Sequence, residues 1–131
     1  MMKHNADYKW MVYVGHSNSY DFKKELYSPI VESSLTSKYN FKFPHENSKE
    51  LFNSKEFLKK CDYMIAEITY PSLGLGIEIG WADIYGIEII FLLKKGMKKP
   101  NSISAINGHV IEYENELDLT DKLNNYFRGR C

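Results

Sequence analysis

Two cysteines in 131 residues, one of them the last residue, leave no spacing for a thiolate metal site and no disulfide framework. Cys61 and Cys131 are expected to be structurally neutral thiols, and no metal site is predicted. Neither sign of charge predominates: seventeen Lys and Arg offset seventeen Asp and Glu, so the overall charge favours neither a nucleic-acid polymer nor an anionic membrane. An anionic ligand must be held locally. Long apolar runs are missing too. The longest, Ile89 to Leu93, falls far short of the roughly 20 residues that span a bilayer, and Met1 to Trp10 lacks the apolar core of a signal peptide. A cytoplasmic protein with no membrane partner is expected. Repeats and low-complexity segments are absent as well.

What remains is an ordinary globular composition, 44% hydrophobic and 26% charged, in a length that suits a single domain over residues 1–131. Short apolar runs alternate with amphipathic stretches: Trp10 to Val14, Phe22 to Leu35, Phe41 to Phe43, Leu51 to Cys61, Tyr63 to Ile68, Leu75 to Tyr85, Ile87 to Leu93, Val110 to Tyr113 and Leu117 to Phe127. Met64 to Ala66 and Ile89 to Leu93 are apolar on both faces, as parallel strands covered by helices must be. The fold class predicted is α/β, a three-layer sandwich with about five parallel strands. Gly15 ends the first strand, Asn47 or Ser48 can cap the second helix, Gly86 can end the third, and Gly96 to Pro100 forms a basic loop. In such a sheet ligands bind beyond the carboxyl ends of the strands. Those ends carry Gly15 to Ser19, Pro44-His45-Glu46, Glu67 to Gly76 and Lys94 to Gly96.

One segment breaks several local rules together. Between Ala66 and Ala82, three glycines fall within seven residues at a helix start, each about 1 kcal/mol less favourable than alanine there, and Glu78 stands between two isoleucines. The spacing Gly74-x-Gly76-x-x-x-Gly80 matches neither the dinucleotide fingerprint nor a P-loop, so no nucleotide cofactor is implied. Gly76 and Gly80 share a helical face and allow close approach of a ligand, a strand or a partner helix. Glu78, in the opening turns of that helix, is suited to nucleophilic attack on a sugar anomeric carbon, or simply to bonding nearby backbone. Pro71-Ser72 presents a hydroxyl and amides either as an anion cradle or as a helix cap. Glu67 ends the third strand and is read as a support that ties down the following loop. Tyr13, on the first strand, can hydrogen-bond a nucleophilic carboxylate or pack in the core, and His16 to Ser19 offer polar contacts that are not diagnostic.

These residues resemble the nucleoside 2-deoxyribosyltransferase-like proteins, which include 2'-deoxynucleoside 5'-monophosphate N-glycosidases. The resemblance lies in the blocks Cys61 to Ile68 and Pro71 to Ala82, together with Val12 to Gly15; it is residue-level from about Leu51 to Leu93 and in element order elsewhere. It implies a flavodoxin- or Rossmann-like sheet, a small-molecule nucleoside or nucleotide as substrate, no cofactor and a homo-oligomer with composite sites. By the same resemblance Glu78 is the nucleophile at the sugar C1' and Tyr13 assists it. Ser72 stands where the monophosphate-cleaving members contact phosphate, Gly15, His16, Ser17, Gly74 and Gly76 line the substrate, and Asp62 and Glu67 support the site.

Two departures accompany the match. The first loop, His16 to Asp21, has no arginine for a phosphate, and the family's acidic aspartate falls at Asn53-Ser54, where no acid stands. Asp21, Asp83, His45, Glu46 or a neighbouring subunit would then have to protonate the leaving base, a step that typically contributes about 10²–10⁴-fold. The leading expectation is cleavage or transfer at the N-glycosidic bond of a 2'-deoxynucleoside or its 5'-monophosphate. The alternatives are a nucleotide-binding module without turnover and a hydrolase of another N-riboside such as NAD.

Overall fold

The computed structural model describes residues 9–44 and 54–129. Asn47, Ser48, His45, Glu46, Asn53 and Cys131 lie outside them. Five strands, β1 (Trp10–Gly15), β2 (Tyr39–Lys42), β3 (Tyr63–Glu67), β4 (Glu88–Lys94) and β5 (His109–Tyr113), form one all-parallel sheet in the order β2-β1-β3-β4-β5. The helices are α1 (Ser28–Val31), α2 (Ser54–Leu58), α3 (Leu73–Ile84) and α4 (Glu116–Arg128). Strand order reverses between β1 and β3, so the crevice beyond their carboxyl ends is where this topology places a ligand.

Because side chains alternate along a strand, the sheet divides the core in two. Val12 and Val14 of β1, Ile65 of β3 and Ile90 and Leu92 of β4 pack with Leu26, Ile30, Leu119, Leu123 and Phe127, on the face covered by α1 and α4. Tyr13, Met64, Ala66, Ile89 and Phe91 point the other way, onto Leu58 of α2 and Leu75, Ile79 and Ala82 of α3. A ligand group reached from α3 must therefore come from odd positions of β1. Tyr13 and Gly15 are such positions; His16 is not.

The amphipathic stretch Phe22 to Leu35 runs as a π turn (Lys23–Tyr27) continuous with α1, followed by a separate 3₁₀ turn (Ser34–Ser37). Pro29 explains the π turn: it has no N–H to return to the carbonyl four residues back, and the amide of Ser28 reaches five back, to Lys23. The third helix begins and ends as its residues suggest. Ser72 accepts the Leu75 amide at 3.3 Å, and Gly86 takes the left-handed conformation at φ 72° just beyond Tyr85. Cys61 is buried with its thiol directed at the Phe57 carbonyl, and burial pushes that thiol up to about 12, which makes it unreactive. No helix among the described residues is long and apolar enough to cross a membrane.

Gly108, immediately before β5, packs its α-carbon against the ring of buried Phe91, and a Cβ there would also stand 3.1 Å from the Ile89 carbonyl oxygen. Gly108→Ala should overpack this junction and lower the unfolding free energy by about 1–3 kcal/mol in a denaturant titration. An unchanged midpoint would mean that the β4–β5 junction is looser than described.

Candidate active site

Tyr13 is buried, and its phenol donates to Oε2 of Glu78 at 2.6 Å, the length of a charge-assisted O–H···O bond. Burial first, then the adjacent carboxylate, pushes the Tyr13 phenol far above its ordinary value, which keeps it protonated and able to donate. Ser54, buried at the start of α2, stands near the same phenol and pulls its value down, a smaller influence than burial or Glu78. The other oxygen of Glu78, Oε1, lies beside Gly15. A Cβ on that glycine would meet the Met64 methyl at 2.7 Å and Leu75 at 3.2 Å and touch Oε1 at 3.4 Å, so glycine leaves this side of the carboxylate most open. Strand β1 thus contributes a donor to one oxygen of Glu78 and open room to the other.

Glu78 is half-buried, one and a half turns into α3, on the floor of an open cleft of about 550 Å³ at the sheet's reversal point. Ser17, Asn18 and Ser19 form one wall, and Ser72 and Gly74 the other. The hydroxyls of Ser17 and Ser19 lie 2.9 Å apart, and the Ser19 amide donates to Ser17 Oγ at 3.1 Å. Tyr13, Gly15, Glu78, Ser17, Ser72 and Gly74 therefore gather in one place.

Several expected residues lie elsewhere. His16 borders the cleft, yet its ring belongs to the α1 face: it stacks on Phe22 at 4.2 Å, and its nitrogens meet the Ser17 carbonyl at 2.9 Å and the Tyr27 hydroxyl at 2.5 Å. Even-numbered positions of β1 face that way, so its imidazole braces the loop rather than facing Glu78. Asp62 lies at the amino ends of the strands, where its carboxylate accepts the Met11 amide at 2.9 Å; it locks β1 to β3 a strand's length from the cleft. Gly76 does not line the cleft, and among the described residues no atom of a strand or another helix stands within 4 Å of where a Cβ on it or on Gly80 would lie. Of the acid candidates, Asp83 sits at the far end of α3 beside Glu88 and His109, and exposed Asp21 accepts the Lys24 amide at the start of the π turn.

Glu67 lies on the α1 face, parallel to the site. It accepts the Thr69 amide at 2.5 Å, the Thr69 hydroxyl at 2.9 Å and the Tyr113 hydroxyl. It therefore anchors the loop that leads to Ser72. Tyr113 and Thr69 escaped the sequence reading because nothing in their spacing links β5 to β3. Burial is the larger influence on Glu67 and holds its carboxyl above the usual carboxylate range, against the pull of Tyr113, Thr69 and Lys94. A raised folded-state value means that the native protein binds this proton more tightly. The stability so gained is complete below the unfolded value and is lost as pH rises through the folded one. The stability of the wild type minus that of Glu67→Gln should consequently fall as pH is raised from about 4 to about 7 in denaturant titrations; a difference that does not vary with pH contradicts this.

No protein-family model matches the chain. Two curated relatives share the name "Putative 2'-deoxynucleoside 5'-phosphate N-hydrolase 1". One, from Syntrophotalea carbinolica, is 35% identical over 46 residues, covering 35% of this chain and 32% of the relative. The other, from Thermofilum pendens, is 29% identical over 79 residues, covering 55% of this chain and 54% of the relative. The chain thus matches about a third to a half of the length of these relatives. Among solved structures, the Clostridium botulinum CMP N-glycosidase BcmB superposes with a TM-score of 0.65 at 28% identity, over 87% of this chain and 98% of that one.

Proposed function

We propose that this chain, a relative in sequence and fold of the nucleoside 2-deoxyribosyltransferase-like proteins, cleaves the N-glycosidic bond of a nucleoside 5'-monophosphate through an ester on Glu78. The observation that carries the proposal is the Tyr13–Glu78 pair, with its second carboxylate oxygen over Gly15 in the cleft at the sheet's reversal point. The names of the relatives, a 2'-deoxynucleoside 5'-phosphate N-hydrolase and a CMP N-glycosidase, support a 5'-phosphorylated substrate.

The chemistry follows from the geometry. Oε1 attacks the sugar C1' as the C1'–N bond breaks, and the bonding pair leaves with the base, which takes up a proton from cleft water. Tyr13 holds Oε2 so that the carboxylate keeps its orientation as its charge is spent in the new C–O bond. Water then attacks C1', the ester C1'–O bond breaks, and Glu78 is released as a carboxylate with the free sugar phosphate. The proton from that water goes to solvent. A second base attacking in place of water would give transfer instead. The serine walls and the exposed start of α3 supply hydroxyls and amides for the phosphate.

A second reading, a nucleotide-binding module of low turnover, is favoured by Ser54. It stands near Tyr13 where the resemblance implies an acid, and Glu78 is the only carboxylate among the described residues lining the cleft. One panel separates the two: purified protein with 2'-deoxynucleosides, their 5'-monophosphates, CMP and NAD, with base release followed chromatographically. Monophosphates should release base, Glu78→Gln should release none, and Tyr13→Phe should be slower by about 10²-fold. Micromolar binding without base release from any substrate would instead support the binding module.

A further inference from the structure

We infer that Lys94 is a positioning residue: it clasps the two loops that wall the cleft and so sets the preference for a phosphorylated ligand. The inference rests on the ligand class proposed above. Lys94 ends β4 on the α1 face, away from Glu78. Its ammonium donates to Glu25 Oε1 at 2.6 Å and to the Tyr70 hydroxyl at 2.9 Å, and it lies 5.1 Å from the Tyr70 ring centre and 5.6 Å from that of Tyr20. The two tyrosines stack on each other with centroids 4.5 Å apart. The Lys94 amide also donates to Thr69 Oγ1 at 2.8 Å, so the same residue grips the third-strand loop by backbone and side chain.

The position of these tyrosines gives the clasp its consequence. Tyr20 directly follows Ser19 on one wall of the cleft, and Tyr70 precedes Ser72 on the other by two residues. Tyr20 has no hydrogen-bond partner for its buried hydroxyl among the described residues, so its ring contacts to Tyr70 and Lys94 are what couple its loop to the opposite wall. A phosphate held between the walls needs donors from both sides at about 2.7–2.9 Å, a separation that a loosened clasp would not hold. The Tyr13–Glu78 pair, built on β1 and α3 over the other face of the sheet, does not depend on it. Burial alone would lower the Lys94 ammonium, but Glu25 and Tyr70 outweigh it and hold it above its ordinary value, so the clasp stays charged at working pH.

The test is affinity by calorimetry for 2'-deoxynucleoside 5'-monophosphates, CMP and the matching nucleosides, in a Glu78→Gln background with and without Lys94→Met. Tyr70→Phe, which keeps the ring stack and removes only the hydroxyl, guards against a folding defect. Hydrogen exchange over residues 17–20 and 70–72 is followed in parallel. Removal of the lysine should weaken the monophosphates by about tenfold or more while leaving the nucleosides unchanged. It should also speed exchange in both segments by about tenfold, with Tyr70→Phe giving a smaller change in the same sense. Equal weakening of nucleosides and monophosphates, or unchanged protection, overturns the inference. Base release by the wild type, measured separately, judges the catalytic reading: weaker phosphate binding in a protein that releases no base would sustain the clasp and reject catalysis. Base release with unaltered monophosphate preference would do the reverse.

Discussion

A hydrogen bond between a strand and a helix organises the cleft. Tyr13 is fixed by the parallel pairing of β1 with β2 and β3, and Glu78 by the packing of Leu75 and Ile79 of α3 onto the same sheet face. A carboxylate on an otherwise apolar helix face would be costly to half-bury without a donor, and the phenol supplies one. Gly15, two residues along the same strand, completes the arrangement by leaving the carboxylate's other oxygen uncrowded. Three residues on two elements thus convert a misplaced-looking glutamate into an oriented one.

The opposite face of the sheet does separate work. Glu67, buried and bonded by Thr69 and Tyr113, holds the loop that carries Ser72, and the Lys94 cluster joins that loop to the one carrying Ser17 and Ser19. Glu78 is oriented from the α3 side and the cleft walls are held from the α1 side. Because alternate residues of each strand serve different faces, a single strand end contributes to both: Gly15 to the carboxylate, His16 to the brace with Tyr27.

Much of this was legible in the residues before any coordinates. Apolar runs on both faces of Met64 to Ala66 and Ile89 to Leu93 demanded a covered parallel sheet, and the glycines around Glu78 marked the strand-to-helix junction. The errors have physical causes. Period-two alternation, counted strictly from Tyr13, would have assigned the ring of His16 to the far face. Asp62 adjoins the third strand in sequence but stands at its amino end, where its carboxylate caps the backbone of β1 away from the cleft. Pro29 hid its effect inside an amphipathic pattern, since a π turn absorbs the lost bond without ending the helix. Lys94, Tyr20, Tyr70 and Tyr113 are far apart in sequence and carry no shared motif; only strand order brings them together.

The central claim is that Glu78 becomes covalently attached to the sugar. Rapid quenching of the protein during turnover of a nucleoside 5'-monophosphate, followed by intact-mass and peptide mapping, tests it most directly. The account predicts a transient mass gain of one sugar-phosphate unit on the peptide containing Glu78, absent from Glu78→Gln. Steady base release with no adduct at any quench time would contradict it.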